Sequence, residues 1–275
     1  MAAKTVVVTG GTQGLGLGYA RELLQRGQNV VICSRSPAHV DAALATLAPL
    51  ATQGTRVVGA ACDTTDRQQV QALWDLAARE FGRVDIWLNN AGLARTGASF
   101  LNTAPHDIEQ MVRSNVIGTL FASDVAMDGM KRQGSGRIYL TLGGGGGKGR
   151  VVTNMSVYST TKRALRYFAN AMVKEAKERS PQVLIGTISP GVNVTEGMLR
   201  EIAAVPAADR AKVLKPLNFI GEHVETTTPW IVARMLADTK QGSDITWLTT
   251  GRLLRRGVGM LFGKRDILSR YGLTV

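Results

Sequence analysis

The sequence predicts a single-domain α/β protein with a doubly wound parallel sheet of the Rossmann type. Short runs rich in β-branched residues alternate with longer segments of helical period. These runs are apolar almost throughout, which is typical of parallel strands covered by helices on both faces. The length of 275 residues suits one large α/β domain, and neither an internal repeat nor a linker divides the chain.

Seven segments have the pattern of strands. They are Lys4–Thr9, Asn29–Cys33, Arg56–Ala60, Val84–Leu88, Arg137–Leu142, Val183–Ile188 and Asp244–Leu248. The segments between these predicted strands show the periodicity of helices. In the third gap an apolar stripe is formed by Val70, Leu73, Trp74 and Ala77, at i, i+3, i+4 and i+7.

The composition favours a soluble protein of a reducing compartment. Cys33 and Cys62 are the only cysteines, too few for a disulfide framework in a chain of this length. The N-terminus shows no signal-peptide pattern, and no apolar run approaches the roughly 18 residues of a membrane span. We therefore expect a cytoplasmic location. The three histidines, His39, His106 and His223, are scattered, so no metal site is expected.

The formal net charge of +12 raises the question of an anionic partner. Residues 251–275 carry six basic residues against one acid, interleaved with apolar ones. We interpret them as a basic and apolar C-terminal extension of a domain that spans residues 1–250. The extension is expected to dock on the protein or on a neighbouring subunit, and secondarily on a membrane surface. Its glycines, Gly257 and Gly259 among them, argue against one long regular helix. Nucleic-acid binding is not expected.

A glycine-rich turn connects the first strand to the first helix. Glycines there let the backbone approach a pyrophosphate, and the helix N-terminus offers free N–H groups and the positive end of a dipole. The alternative is a plain turn, which the motifs that follow in the chain make a poorer explanation. The residues expected at a dinucleotide are Gly10, Thr12, Gln13, Gly14, Leu15 and Gly16.

The end of the second strand points to NADP(H) as the cofactor. Where an NAD enzyme has an acid for the adenosine ribose, this chain has Ser34 followed by Arg35, whose guanidinium can pair with a 2′-phosphate. The alternative is a surface arginine. After the third strand, Cys62 and Asp63 are expected beside the adenine, although an acid there could also cap a helix, a role for which Asp66 is better placed.

Two further motifs concern the reacting end of the cofactor. Asn89-Asn90-Ala91-Gly92 follows the fourth strand, and we expect Asn89, Ala91 and Gly92 to lie close to the cofactor. Tyr158 and Lys162, four residues apart, share one face of a predicted helix. An ammonium beside a phenol lowers the pKa of the phenol, so the pair is a candidate general acid–base group. The alternative for such a pair is an exposed helix face.

In this order the motifs resemble those of the short-chain dehydrogenase/reductase family. The resemblance covers Lys4 to about Leu248 and adds Asn115, in an Asn-Val-x-Gly sequence, and Pro190-Gly191 with Thr195. The glycine-rich run after the fifth strand and Thr161–Arg163 also look somewhat like chlorophyll b reductases and their bacterial relatives.

The resemblance implies a role for each matching residue. Tyr158 would exchange the substrate proton, and Lys162 would hold the ribose hydroxyls and tune Tyr158. Asn115 would support a water relay to Lys162. Pro190, Gly191, Val192 and Thr195 would lie at the nicotinamide, where Thr195 and the backbone near Val192 would hold the carboxamide. The resemblance also implies a homodimer or homotetramer, packed through the helix that begins at Tyr158.

The chain departs from the family at the serine that normally follows the fifth strand. Counting from the strand puts Gly143 there, and counting back from Tyr158 puts Gly145 there. The replacement donors open to the sequence are the hydroxyls of Thr141, Thr153 and Ser156, or backbone N–H groups of residues 143–147.

These features predict an NADP(H)-dependent reductase of an aldehyde or ketone on a bulky, mostly apolar substrate. An apolar segment at about residues 192–229 is expected to cover that substrate as a lid, or else to be ordinary helix core. Its apolar residues are Met198, Leu199, Ile202, Leu214, Leu217, Phe219 and Ile220. The alternatives are reduction of a C=N or C=C bond, for which a serine matters less, and a cofactor-binding protein with little catalysis.

Overall fold

A computed structural model describes residues 2–52, 54–96, 99–144, 146, 151, 153–203, 205, 207–262 and 265–273. The strands are β1 (Thr5–Thr9), β2 (Asn29–Ser34), β3 (Val57–Ala61), β4 (Ile86–Asn89), β5 (Gly136–Thr141), β6 (Val183–Ser189), β7 (Val192–Val194), β8 (Gly221–His223) and β9 (Ser243–Thr246). The helices are α1 (Gly14–Gln25), α2 (Pro37–Leu47), α3 (Arg67–Phe81), α4 (Pro105–Val112), α5 (Gly118–Gln133), α6 (Ser156–Arg179), α7 (Glu196–Ala203), α8 (Ala207–Ile220), α9 (Val224–Ala237) and α10 (Thr250–Phe262). None of the helices in the described ranges is both long and apolar enough to span a membrane.

Seven parallel strands form the central sheet in the order β3-β2-β1-β4-β5-β6-β9. The chain runs outward from β1 to one edge and then from β4 to the other, which makes the sheet doubly wound and confirms the predicted fold class. All seven predicted strands are present, with boundaries shifted by at most two residues. The carboxyl ends of β1 and β4, where the winding reverses, are the usual place for a ligand in such a sheet.

Helices cover both faces of the sheet, and each face has its own core. On one face, residues of α1 and α9 such as Tyr19, Leu23 and Ile231 pack against the strands. On the other face, α3, α5 and α6 pack against them. The predicted stripe of α3 lies in this second core, where Trp74 stacks on Trp87 of β4 with 6.0 Å between ring centroids.

The segment between β6 and α9 folds into a small unit of its own, which we call the lid. It contains β7, α7, α8 and β8, and its two strands pair in parallel. The structure thus places several apolar residues of this segment in a third core: Val194, Ile202, Leu214 and Leu217 pack there with Ile267 and Leu268 of the C-terminal extension. The apolar residues of the lid therefore form a packed core of their own, and the lid is not only a cover for the substrate.

The C-terminal extension lies along the lid of the same chain. Helix α10 runs through Gly257 and Gly259, so these glycines do not prevent a regular helix of 13 residues. Arg256 anchors it by pairing with Glu222 of β8 at 2.5 Å, and Arg265 pairs with the other oxygen of the same carboxylate at 3.1 Å. Both side chains of the Arg256–Glu222 pair are 10% exposed, so this contact lies mostly inside the protein.

Candidate active site

The glycine-rich turn at the end of β1 has the geometry that a pyrophosphate needs. Gly10 has φ of 63°, a conformation that favours glycine, and a Cβ there would lie 2.9 Å from the Cα of Ala91. A Cβ at Gly16 would overlap the carbonyl oxygen of Gly10. Gln13, the residue before α1, makes no side-chain cap, which leaves the first N–H groups of the helix available to an anion.

The loop after β4 is tied to this turn. Thr9 Oγ1 accepts hydrogen bonds from the backbone N–H of Asn90 and of Ala91, both at 3.0 Å, and Asn90 Nδ2 donates to the carbonyl of Thr9 at 3.0 Å. Asn89 behaves differently from its neighbour. Its side chain lies in the core, where it accepts from Trp87 Nε1 and donates to Ser123 Oγ. The side chain of Asn89 is therefore turned into the core and away from the predicted cofactor site. Asn90 is the asparagine whose side chain holds the loop against the end of β1.

The predicted adenosine end lies at the ends of β2 and β3. Arg35 is exposed, and Ser34 Oγ donates to the carbonyl of Ser36 at 3.1 Å. Cys62 is buried. One carboxylate oxygen of Asp63 accepts from the backbone N–H and the hydroxyl of Thr65, both at 2.9 Å, so a turn already holds it.

Asp66 caps α3, as the sequence suggested. Its carboxylate accepts from the backbone N–H of Gln68 at 2.9 Å and of Gln69 at 3.2 Å. These hydrogen bonds lower the pKa of Asp66. The capping role is filled by Asp66, so the adenine contact predicted for Asp63 does not compete with it.

The first turns of α6 carry Tyr158 and Lys162 into the end of the sheet. Lys162 is 4% exposed, its Nζ donates to the carbonyl of Thr141 at 3.1 Å, and it lies 5.6 Å from the centre of the Tyr158 ring. Burial lowers the pKa of Lys162 to about 8. Burial, together with the carboxylate of Glu201, raises the pKa of Tyr158 to about 12.

This outcome corrects the expectation that the ammonium of Lys162 lowers the pKa of Tyr158. A phenolate at this half-buried position would lose hydration and would be repelled by the carboxylate of Glu201, so the neutral phenol is favoured. Tyr158 is therefore held as a neutral hydroxyl near pH 7. Such a group is suited to donate a proton rather than to remove one.

Asn115 lies in a π-helical turn, Arg113–Ile117, between α4 and α5. Such turns, which insert an extra residue into a helix, often occur at functional sites. The Asn115 side chain is fully buried: Oδ1 accepts from the backbone N–H of Leu93 at 2.7 Å, and Nδ2 donates to Thr161 Oγ1 at 3.0 Å. A Cβ at Gly92 would lie 3.2 Å from Asn115 Oδ1 and 3.5 Å from Lys162 Nζ, so the structure brings these motif residues together.

Gly143 occupies the place of the missing serine. A Cβ at Gly143 would overlap the hydroxyl of Tyr158, so the tyrosine fills the space that a side chain would need. Gly145, the other candidate position, lies outside the described residues. Thr153 and Ser156 are exposed. The hydroxyl of Thr141 is buried and has no hydrogen-bond partner among the described residues.

The chain after β6 brings the lid up to the glycine-rich turn. Gly191 follows Pro190 with φ of 74°, and Val192 begins β7. A Cβ at Gly14 would lie 3.3 Å from Thr195 Cγ2, so the start of the lid contacts the first turn of α1. The predicted nicotinamide end and the predicted phosphate loop are therefore adjacent.

The structure adds a carboxylate that the sequence did not single out. Glu201 of α7 accepts a hydrogen bond from Thr96 Oγ1 at 2.7 Å and faces Tyr158 closely enough to influence its pKa. Burial raises the pKa of Glu201 itself, while its contacts with Thr96 and Arg95 oppose that change. The Glu201–Thr96 contact joins the lid to the loop after β4 across the site.

The residues present fit a dinucleotide cofactor. The glycine-rich turn and the uncapped start of α1 suit its pyrophosphate. Arg35 and Asp63 lie at one end of this edge of the sheet, and Tyr158, Lys162 and Thr195 lie at the other. The glycine-rich turn lies between these two groups in the strand order, as the pyrophosphate lies between the two ends of a dinucleotide.

Comparisons with known proteins agree with this geometry. The sequence model described as short chain dehydrogenase matches residues 4–204. A probable chlorophyll(ide) b reductase of Arabidopsis thaliana is 34% identical over 265 residues, which cover 91% of this chain and 52% of that protein, so the chain spans about half the length of this relative. A 3alpha-hydroxysteroid dehydrogenase of Mediterraneibacter gnavus is 30% identical over 220 residues, which cover 78% of this chain and 80% of the relative. An actinorhodin polyketide ketoreductase solved with NADPH has the same fold, with a TM-score of 0.74 at 22% identity, over 89% of this chain and 96% of that one.

Proposed function

This chain is an oxidoreductase of the short-chain dehydrogenase family, and on that basis we propose that it uses NADPH to reduce the carbonyl group of a bulky, mostly apolar substrate. The observation that carries the proposal is the half-buried Tyr158 beside the buried Lys162, whose Nζ lies 5.6 Å from the centre of the Tyr158 ring. A hydroxyl kept neutral near pH 7 can donate to a carbonyl oxygen as negative charge develops there.

The residues of the chain divide the work of this reaction. NADPH supplies the hydride when it is bound. Tyr158 donates its hydroxyl proton to the substrate oxygen. Lys162 binds the nicotinamide ribose and, when protonated, stabilises the phenolate that Tyr158 becomes. Asn115 forms hydrogen bonds to Leu93 and to Thr161, so it connects the loop after β4 to the start of α6. This connection keeps Gly92 close to Lys162.

The proposed substrate class is supported by the lid. This segment lies across the site, where Glu201 contacts Thr96, and it has an apolar core of its own. An apolar cover suits a bulky, mostly apolar molecule better than a small polar one. Relatives named for chlorophyll(ide) b and for a hydroxysteroid support this choice.

The function is tested by following NADPH oxidation across a panel of bulky aldehydes, ketones, imines and enones. Tyr158→Phe should lower kcat at least 10²-fold with a carbonyl substrate, because it removes the proton donor, and should leave NADPH binding nearly unchanged. Tyr167→Phe, on the exposed side of the same helix, is the matched control and should leave both unchanged.

Other outcomes would change the assignment. If Tyr158→Phe still turns over imines or enones, reduction of a C=N or C=C bond would be favoured. Such a reaction depends less on the serine that is absent at Gly143. NADPH binding without turnover of any substrate in the panel would favour a cofactor-binding protein.

The preference for NADPH rests on Arg35. Its exposed guanidinium at the end of β2 can pair with the 2′-phosphate, and such a charge-assisted contact contributes about 1–3 kcal/mol. Arg35→Ala should therefore weaken NADPH binding about 5- to 150-fold and leave NADH binding unchanged, as measured by titration calorimetry. Arg132→Ala, an exposed arginine at the end of α5, is the control for net charge. Equal affinity of the unmodified protein for the two cofactors would contradict this choice.

A further inference from the structure

Helix α10 is anchored on one side and presents an apolar ridge on the other. We use the name apolar ridge for Leu254 and Val258, which lie one turn apart and are 68% and 57% exposed. On the anchored side, Leu253 is half-buried and Arg256 pairs with Glu222. The ridge borders an open groove of about 480 Å³ between α10 and the end of α8, lined there by Phe219. Two large apolar side chains exposed this far on an otherwise anchored helix need an apolar partner.

A set of stacked arginines lies near the start of α10. The guanidinium of Arg252 lies 3.6 Å from the ring centre of Trp247 and 4.5 Å from that of Trp230, and Arg234 lies 3.7 Å from the same Trp230 ring. Arg255 is exposed on the same turn of α10. We call Arg234, Arg252 and Arg255 the arginine patch.

The charge of the arginine patch is not compensated locally. Across the described ranges of the chain, neither Arg234 nor Arg255 pairs with a carboxylate. The carboxylate of Glu222, which is close enough to influence Arg252, is already engaged by Arg256 and Arg265. Burial lowers the pKa of Arg252, and repulsion from Arg234 and Arg255 lowers it further. An anion would relieve that repulsion.

We propose that the arginine patch and the apolar ridge together dock the protein on an anionic lipid surface, with α10 lying in the plane of the interface. The ridge would enter the boundary between headgroups and acyl chains while the arginines contact lipid phosphates.

Other classes of partner explain the combination of the arginine patch and the apolar ridge less well. A nucleic acid would use the arginines but leave the ridge in water. A second copy of the chain, docked through the same face, would bring two positive patches together. The formal net charge of +12 favours an anionic surface over a neutral one. The proposal is independent of the substrate, because none of the residues of this face belongs to the candidate active site.

The experiment is co-sedimentation of the full chain with vesicles of phosphatidylcholine alone and of phosphatidylcholine with phosphatidylglycerol. Binding is expected to the anionic vesicles only, and to weaken as salt is raised. The double variant Arg234→Gln with Arg255→Gln should bind about 25-fold more weakly, at about fivefold per charge. The double variant Leu254→Ser with Val258→Ser should bind about tenfold more weakly or worse.

The control has the same change in net charge at another place. Lys131→Gln with Arg132→Gln, at the exposed end of α5, should change vesicle binding less than about twofold. Unchanged NADPH binding by every variant shows that the fold is intact. Equal loss in the control, or equal binding to neutral vesicles, would overturn the proposal. So would binding to duplex DNA that needs the arginine patch while vesicles are ignored, or a change of oligomeric state in the Leu254 and Val258 variant.

Discussion

Lys162 is held in the protein interior by one hydrogen bond to the carbonyl of Thr141, and this position has a cost in stability. Its pKa in the folded protein is about 8, against a usual value of 10.5. Because the unfolded chain binds the proton more tightly, the lysine opposes folding below pH 8. The free energy of unfolding should rise as the pH increases from about 8 to 10.5, since the penalty disappears over that range.

Lys162→Met should therefore stabilise the protein at pH 7 while abolishing reduction. The lowered pKa corresponds to roughly 3 kcal/mol, and loss of the hydrogen bond to Thr141 returns about 1 kcal/mol, so a gain of about 2 kcal/mol is expected. The measurement is urea unfolding of the cofactor-free protein at pH 7 and at pH 10.5, where the gain should vanish. Lys174→Met, an exposed lysine on the same helix, should show no gain at either pH. A destabilised Lys162→Met protein at pH 7 would contradict this account.

At the scale of residues, the sequence identifies the reactive pair but not its electrostatics. The four-residue spacing of Tyr158 and Lys162 and their place after the fifth strand are visible in the sequence. The direction in which the pKa of Tyr158 is shifted depends on how far the phenol is removed from water and on Glu201, which lies 43 positions further along the chain. No local pattern distinguishes Glu201 from other acids of the lid, so its approach to Tyr158 emerges only from the fold.

At the scale of elements, the lid and the C-terminal extension share one buried carboxylate. Glu222 of β8 receives both Arg256 and Arg265, and its side chain is 10% exposed. Removing one partner of a buried ion pair leaves the others uncompensated, which costs about 3–5 kcal/mol. By contrast, Glu225 and Arg270 form a pair at 3.4 Å in which both side chains are about half exposed, and such pairs contribute at most about 1 kcal/mol.

Glu222→Gln should consequently release the extension from the lid, while Glu225→Gln should not. Limited trypsin digestion reports the difference directly, because cleavage after the arginines of α10 requires that helix to detach. Faster cleavage and a higher KM for a bulky substrate are expected for Glu222→Gln only. Equal cleavage of the two variants would show that this carboxylate does not hold the extension.

The elements differ in how well the sequence predicts them. The five inner strands of the sheet are four to seven residues long and mostly buried, so each leaves a mainly apolar run, whereas the edge strands β3 and β9 are more exposed. Strands β7 and β8 have three residues each, which is too short for any period to be recognised, and their pairing depends on the lid as a whole. In α10 the low helix propensity of Gly257 and Gly259 is overcome by tertiary contacts such as the Arg256–Glu222 pair.

At the scale of the whole molecule, one side of the sheet presents apolar side chains to solvent. Val112 of α4 is 40% exposed, Leu120 of α5 37% and Tyr167 of α6 78%. We propose that this surface forms the interface of a homodimer, whose symmetry could be extended to a tetramer. The arginine patch lies on different elements, α9 and α10, so the two surfaces can be tested separately.

The double variant Leu120→Glu with Tyr167→Glu should be monomeric at micromolar concentration, since it places charges in a symmetric apolar contact. Light scattering gives the mass of the unmodified protein and of the variant. Leu254→Ser with Val258→Ser serves as the matched control at a surface that we assign to lipid. An unmodified protein that scatters as a monomer would refute the interface.

The third core, in which Ile267 and Leu268 pack against the lid, also sets an order of events during synthesis. The ribosome makes β7, α7, α8 and β8 before it makes the two residues that complete their core, and β9 also precedes those residues. Strands β1 to β6 and the reactive pair are therefore made well before the core of the lid can be completed. A chain synthesised only as far as β8 would hold Tyr158 and Lys162 without a finished cover over them.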